Sequence, residues 1–171
     1  MEDTAMKIKI YTVGGTIDKV YFDRKGTFEI GEPKIGEILE EAGVVFDFEL
    51  DAVLYKDSLD MTDEDRQLIF DRVAADSVKH IVLTHGTDSM AETAEKISTI
   101  AGKTMVLTGA MQPARFKTSD AAFNIGCAVA AVQLLPPGAY IAMNGCIFTA
   151  GQVRKNVEKG RFEAIPTSAG P

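Results

Sequence analysis

Two short segments of this chain carry a threonine hydroxyl beside glycine and close to a carboxylate. They are Gly14-Gly15-Thr16-Ile17-Asp18 and Gly86-Thr87-Asp88, and each follows a short apolar run that predicts a buried strand. A threonine hydroxyl becomes a usable nucleophile when a neighbouring group accepts its proton. Neither segment has the glycine and lysine spacing of a phosphate-binding loop. The two segments together therefore favour nucleophilic chemistry over phosphate binding.

Each of these segments also has a purely structural interpretation. A threonine in a turn commonly satisfies nearby backbone groups. Asp88 or Ser89 could cap a following helix, with Glu92 reaching back to the helix start. His85 is more typical of a buried structural histidine than of a base. Lys155, taken alone, is a surface charge, but beside the second segment it could act as a base.

The elements that must position these residues alternate along the chain. Apolar strand candidates are Ile8–Thr12, Phe46–Leu54, Ile81–Thr84, Met105–Thr108 and Tyr140–Met143, and helical patterns include Ile35–Ala42, Asp63–Ala75 and Ala121–Leu135. This alternation predicts an α/β fold: an open, mostly parallel sheet with helices on both faces, a Rossmann- or flavodoxin-like three-layer sandwich. Ligands bind at the carboxyl ends of the strands in such sheets, where Thr16 and Thr87 fall.

Other segments lie outside this alternating pattern. Lys19–Ile30 holds three aromatic residues and Gly26, and it predicts an N-terminal hairpin flap apart from the main sheet. After Asn144 the hydrophobic periodicity becomes irregular. Residues 166–171 are expected to form a loose tail. The length of 171 residues favours a single domain, residues 1–171, with a substantial core.

Composition and charge exclude several classes of partner. The formal net charge is −7, from 18 basic and 25 acidic residues, which disfavours nucleic acid and anionic membranes. No apolar run approaches a membrane span, and the N-terminus has no hydrophobic signal core, so the cytoplasm is the predicted location. Cys127 and Cys146 form no C-x-x-C pair and are interpreted as buried structural thiols. Two histidines without further spaced ligands predict no metal site.

Taken together, the motifs resemble the N-terminal domain of the bacterial-type L-asparaginase family. The matching segments follow in the same order over nearly the whole chain, and the block that contains His-Gly-Thr-Asp is the most specific. They are Gly14-Gly15-Thr16-Ile17, Ser58-Leu59-Asp60-Met61, Thr84 to Ala94, Thr108-Gly109-Ala110-Met111-Gln112-Pro113, Ser119-Asp120 with Phe123-Asn124, and Met143-Asn144 followed by Lys155.

The resemblance implies a role for each matching residue. Thr16 is similar to the nucleophile that attacks a side-chain amide, and Tyr21 in the flap to its proton-transfer partner. Thr87, Lys155 and Asp88 are similar to a second hydroxyl–lysine–carboxylate set. The implied substrate contacts come from Gly15, Ser58, Leu59, Gly86, Thr87, Asp88 and Ala110. The implied reaction converts asparagine or a related small amide to the acid and ammonia through a threonine acyl-enzyme, with no metal and no organic cofactor.

The chain also departs from the family pattern. Leu59 stands where the family commonly has glutamine, and Val13 where it commonly has threonine. Family members carry a C-terminal domain that contributes substrate contacts from a neighbouring subunit, and the present sequence does not include it. Two functions therefore stay open. One is an amidohydrolase acting as a homodimer or larger homo-oligomer, and the other is an amino-acid-binding or partner-complementing module with weak or no turnover.

Overall fold

The computed structural model describes residues 6–166. Within them, strands and helices alternate along most of the chain. The strands are β1 Lys7–Gly14, β2 Lys19–Phe22, β3 Thr27–Ile30, β4 Asp47–Lys56, β5 His80–Thr84, β6 Thr104–Thr108, β7 Gly138–Met143, β8 Cys146–Thr149, β9 Val153–Asn156 and β10 Arg161–Ala164. The helices are α1 Ile35–Glu41, α2 Asp63–Ala75, α3 Met90–Ile97 and α4 Ala121–Leu134, with short 3-10 helices at Thr16–Asp18 and Ser58–Asp60.

The main sheet has six strands in the order β4-β1-β5-β6-β7-β8. All neighbouring pairs are parallel except β7 with β8, so the sheet is mostly parallel, as the sequence predicts. The chain leaves β1 toward β4 on one side and later returns to place β5 on the other side of β1. The strand order therefore reverses between β1 and β5, where open α/β sheets bind ligands.

Helices cover both faces of this sheet. Along β1, Ile8 and Ile10 pack with α1 and α4, whereas Tyr11 and Val13 pack with α2 and α3. This division follows from the period-2 alternation of side chains in a strand, and both faces are apolar because both are covered. The three-layer α/β architecture predicted from the sequence is confirmed.

The segment after β1 forms the predicted hairpin flap. β2 and β3 pair antiparallel with each other and form a separate two-stranded sheet. The segment after Asn144, in contrast, is more regular than its sequence pattern suggests. It forms β8, at the edge of the main sheet, and the antiparallel pair β9 and β10. Of the predicted tail at residues 166–171, all but Pro166 lies outside the described residues.

The helix N-termini differ in how their backbone N–H groups are satisfied. Thr62 caps α2 in a reciprocal capping box with Asp65, because each side chain accepts a hydrogen bond from the other's backbone N–H. Ser89 is the N-cap residue of α3, but no side chain caps that helix end, so the predicted capping role of Asp88 or Ser89 is wrong. The reason is that both side chains bond to distant residues of the candidate site described below.

Both cysteines are free, but the prediction of two buried thiols is wrong. Cys127 is half-buried on α4, and Cys146 is exposed on the edge strand β8. Between residues 6 and 166, no helix is long and apolar enough to cross a membrane. The same residues contain no cluster of three or more histidine, cysteine or acidic side chains that could hold a metal ion.

Candidate active site

The two glycine–threonine segments lie side by side at the end of β1 and β5. Gly15 adopts a φ of 94°, a conformation that side-chain-bearing residues rarely adopt. A β-carbon on Gly15 would overlap the backbone of Gly86, and one on Gly86 would overlap the Ser58 side chain. Glycine at both positions therefore allows three loops to meet at the point where the strand order reverses.

A hydroxyl, an amine and a carboxylate come together beside this contact. The Lys155 Nζ donates to Thr87 Oγ1 at 2.8 Å and to Asp88 Oδ1 at 2.6 Å. The Thr87 residue is 5% exposed, and the side chains of Lys155 and Asp88 retain 16% and 35% exposure. An amine in contact with a nearly buried hydroxyl and open to solvent on one side can exchange a proton with that hydroxyl.

Lys155 reaches this position because its hairpin, β9–β10, is anchored to the main sheet. Val153 and Phe162 are each 4% exposed and belong to the core cluster on the α2 and α3 face. Asn144, in the β7–β8 turn, has a φ of 55°, and its Oδ1 accepts a hydrogen bond from the Phe162 N–H at 2.9 Å. Phe162 pairs directly with Lys155 across the hairpin, so this bond fixes the strand opposite the lysine.

Substitutions at Asn144 should separate the contributions of its backbone and its side chain to this anchor. Asn144→Asp keeps both features, and we expect unchanged stability. Asn144→Gly keeps the backbone conformation but loses the hydrogen-bond acceptor. Asn144→Ala loses both, and we expect its free energy of unfolding to fall by about 1–2 kcal/mol. Urea unfolding of the three variants measures the difference. Equal stability of the aspartate and alanine variants would contradict the proposed anchor.

The Ser58 loop joins the second glycine segment through polar contacts. Ser58 is 3% exposed, and its Oγ accepts from the Asp88 N–H at 3.2 Å, while its carbonyl accepts from Ser89 Oγ at 2.7 Å. Asp57 caps the 3-10 helix that begins at Ser58 by accepting from the Leu59 N–H. Leu59 is 78% exposed, so the position at which the resembling family commonly has glutamine presents an apolar side chain to solvent.

The loop after β6 is held by one helix. Asp120 accepts hydrogen bonds from the Met111 and Gln112 N–H groups, and Asn124 donates to the Gly109 carbonyl at 2.9 Å. These contacts fix the backbone on both sides of Ala110, which is itself buried. Sequence reasoning assigned no role to Asp120, the N-cap residue of α4, or to Asn124 in its first turn, although their spacing of four was a usable signal.

Thr16 and Tyr21 are not joined by a hydrogen bond within residues 6–166. Thr16 is half-buried in the 3-10 helix after β1. Tyr21 lies on the flap, is 50% exposed, and packs its ring against Phe28 with centroids 5.2 Å apart. The structure therefore assembles the Thr87–Lys155–Asp88 set, whereas the pairing implied for Thr16 and Tyr21 is not formed among the described residues.

His85 is a structural residue. It is fully buried, with Nδ1 2.7 Å from the Gly86 carbonyl and Nε2 2.8 Å from Thr93 Oγ1. A carbonyl only accepts, so Nδ1 carries the proton and Nε2 accepts from the hydroxyl. Burial lowers the pKa of His85 to about 4, so the ring stays neutral at neutral pH. Its Nδ1–H bond to the Gly86 carbonyl stabilises that turn, in agreement with the structural interpretation favoured from the sequence.

Residues 7–168 match the family model described as Asparaginase, N-terminal. The chain is 30% identical over 159 residues to a probable periplasmic L-asparaginase of Haemophilus influenzae, an alignment that covers 86% of this chain and 46% of the relative. It is 36% identical over 92 residues to a glutaminase-asparaginase of Acinetobacter glutaminasificans, covering 51% of this chain and 28% of the relative.

Solved structures give the same result over nearly the whole chain. The L-asparaginase I of Vibrio cholerae superposes with a TM-score of 0.82 at 26% identity, covering 94% of this chain and 52% of that one. The thermostable L-asparaginase of Thermococcus kodakarensis gives 0.77 at 29%, and a probable cytoplasmic L-asparaginase of Campylobacter jejuni gives 0.76 at 28%, each covering 93% of this chain and 51% of that one. The chain thus spans about half the length of these structures. It belongs to the asparaginase family and matches its N-terminal domain.

Proposed function

We propose that this chain hydrolyses the side-chain amide of asparagine or a related small amino-acid amide to the acid and ammonia. The observation that carries the proposal is the contact of the Lys155 amine with both Thr87 and Asp88, beside the strand end that bears Thr16. Two hydroxyls, a proton acceptor and a carboxylate at one sheet edge are the groups that acyl transfer from an amide needs. The family match supports this reaction class.

In the proposed reaction, Thr16 Oγ1 attacks the amide carbon and gives up its proton to the flap tyrosine, Tyr21, or to the Thr87–Lys155 pair. The carbon–nitrogen bond then breaks, and the nitrogen takes up a proton and leaves as ammonia. The resulting threonine ester is hydrolysed by water, which releases the acid and restores the Thr16 hydroxyl. We assign stabilisation of the developing oxyanion to backbone N–H groups of the loops that carry Thr16 and Thr87.

Recognition of the amino acid itself falls to the residues around this centre. We assign the α-ammonium group to the Asp88 carboxylate and the α-carboxylate to the Ser58 loop. Gly15, Gly86 and the backbone at Ala110 form the remaining walls. Leu59 offers no hydrogen bond from its side chain, so we expect weaker selection for a zwitterionic substrate than a polar residue would give at this position.

Ammonia release from asparagine, glutamine and a small panel of other amides tests the proposal directly. The panel should include amides that lack the α-ammonium group, because the assignment of that group to Asp88 predicts slower release from them, whereas the apolar Leu59 side chain does not select for it. Release from one member of the panel at a rate proportional to enzyme concentration supports the proposal. Calorimetric binding of aspartate and asparagine without any turnover would instead favour the amino-acid-binding function.

We propose that the working form is a homodimer or a larger homo-oligomer. Large apolar side chains are exposed near the flap and on the Lys155 hairpin, including Phe28 at 48% and Val157 at 76%, which is typical of surfaces that another chain covers. Sedimentation velocity at increasing concentration should show a species of at least twice the chain mass of 18.5 kDa. A monomer at the highest concentration would contradict this assignment.

We further propose a cytoplasmic location and a single domain. The exposed Cys146 is a free thiol, which suits a reducing compartment. Both helix layers pack on one sheet, which supports treating the chain as one domain.

A further inference from the structure

Asp18 is a buried carboxyl that the proposed reaction does not use. The residue is 2% exposed. Its Oδ1 accepts a hydrogen bond from the Lys34 N–H at 3.0 Å, and its Oδ2 is buried with no hydrogen-bond partner among the described residues. Burying a carboxyl with one unsatisfied oxygen is costly, and its single hydrogen bond runs to the residue that precedes α1.

The backbone of Asp18 connects two further segments to this point. Its N–H donates to the Gly15 carbonyl at 3.1 Å, which closes the turn that carries Thr16. Its carbonyl accepts from the Gly31 N–H at 2.8 Å, which joins the two ends of the flap at its base. One residue therefore links the Thr16 turn, the flap and, through its side chain, the start of α1.

The charges that face this carboxyl come from several elements. Burial, with a smaller contribution from the nearby Glu32, raises the pKa of Asp18 to about 6, although the Lys34 N–H and the Arg115 guanidinium oppose the shift. Desolvation and the nearby Glu32 raise the pKa of the Tyr55 phenol, and the Asp18 charge adds to that rise. The adjacent Lys19 is directed elsewhere, because its Nζ pairs with Asp57 at 2.7 Å.

We infer that Asp18 is a positioning residue that holds the Thr16 turn against the base of the flap and the start of α1. Without the side-chain bond to Lys34, the turn keeps its backbone contacts to Gly15 and Gly31 and the packing of Ile17 on the helix layer. It loses the hydrogen bond that ties it to the start of α1. Thr16 Oγ1 then samples a wider range of positions relative to a bound amide. This inference rests on the proposed function of Thr16 for its consequence on rate, but its structural part does not.

The test compares Asp18→Asn, which keeps the Oδ1 acceptor, with Asp18→Ala, which removes it. Misplacement of a nucleophile by an ångström or less lowers the rate of the chemical step by one to two orders of magnitude. For asparagine or the best amide of the panel, we expect the alanine variant to lose about tenfold in kcat or more, with KM within about twofold. The Asp18→Asn variant should stay within about threefold of the unmodified chain in both kcat and KM. Equal losses in both variants, or no loss in either, would overturn the inference.

Hydrogen exchange gives a readout that does not depend on turnover. The Lys34 amide should exchange at least about tenfold faster in Asp18→Ala than in Asp18→Asn, and peptides that cover residues 15–22 should lose protection only in the alanine variant. Should the unmodified chain release no ammonia from any amide, the proposed function fails, while this exchange pattern still decides the role of Asp18. Unchanged protection of Lys34 in the alanine variant would refute it.

The pH dependence of stability checks the buried state of the carboxyl. A carboxyl with a raised pKa in the folded protein favours folding when protonated, so its contribution falls as pH rises from about 4 to about 6. Asp18→Asn lacks this titration. The asparagine variant should therefore melt at a higher temperature than the unmodified chain at pH 8 and at the same temperature at pH 4. A melting difference that is equal at both pH values would show that the carboxyl is not buried and would overturn the inference.

Discussion

Thr16→Ala should release ammonia from asparagine, or from the best amide of the panel, at least about 10³-fold more slowly than the unmodified chain. The substitution removes the oxygen that is proposed to form the ester. Thr16 lies on a short 3-10 helix whose neighbours Ile17 and Asp18 are buried, so loss of one hydroxyl should leave the fold intact. A coupled assay for ammonia and a thermal melt of the same preparation measure both effects.

Matched variants show which threonine forms the ester. Thr16→Ser keeps a hydroxyl and should retain a measurable fraction of the rate, while Thr87→Ala should lose activity because it breaks the contact with Lys155. Acid-quenched samples should carry an acyl mass on the peptide that contains Thr16, and this mass should persist longer in variants that slow ester hydrolysis. An acyl mass on the Thr87 peptide, with full activity in Thr16→Ala, would reverse the two assignments.

Lys155→Met should lower kcat by about 10²- to 10⁴-fold, because methionine has a similar length but neither charge nor a proton to exchange. In the structure the amine lies within 2.8 Å of Thr87 Oγ1 and within 2.6 Å of Asp88 Oδ1. Its loss leaves Asp88 without its cation. We expect the KM for asparagine to change less than kcat, because Asp88 remains free to bind the substrate ammonium. Steady-state kinetics at saturating amide measures the two constants separately.

Lys155→Arg distinguishes proton exchange from simple charge compensation. Arginine keeps the positive charge beside Asp88 but does not give up its proton in proteins. If Lys155 accepts a proton during the reaction, the arginine variant should be as slow as the methionine variant. Recovery of most of the rate by arginine would mean that Lys155 only neutralises Asp88, and the role proposed for the amine would be wrong.

The layers of the fold were predictable from the sequence because their signal is local. The apolar run of β1 and the helical spacing in α1 and α2 depend only on near neighbours. The segments after Asn144 were harder, because β9 and β10 are four residues each and bury only Val153 and Phe162 between them. Such short strands owe their order to contacts with the main sheet, which no local pattern reports.

The candidate site was predictable only in part, because some residues that meet in it are far apart in the sequence. Lys155 and Thr87 are separated by 68 residues, so their contact was available from the family resemblance but not from spacing. Ser89 illustrates the opposite case. Its position before α3 predicts a helix cap, yet its hydroxyl donates to the Ser58 carbonyl, because a tertiary partner competes with the local one. Tyr21 lies on the flap as the sequence predicts, but its pairing with Thr16 was available only from the resemblance, and no hydrogen bond joins the two among the described residues.

The position of Lys155 on a small outer hairpin has a consequence for thermal inactivation. Thr16, the proposed nucleophile, lies just after the inner strand β1, whereas Lys155 belongs to a two-stranded unit outside the six-stranded sheet. The hairpin and the six-stranded sheet have different free energies of local unfolding, because an outer hairpin with few buried side chains opens before the inner strands do. On heating, the catalytic arrangement is therefore lost at a lower temperature than the secondary structure. Strengthening the hairpin, and not the sheet, is then the effective way to raise the working temperature of this protein.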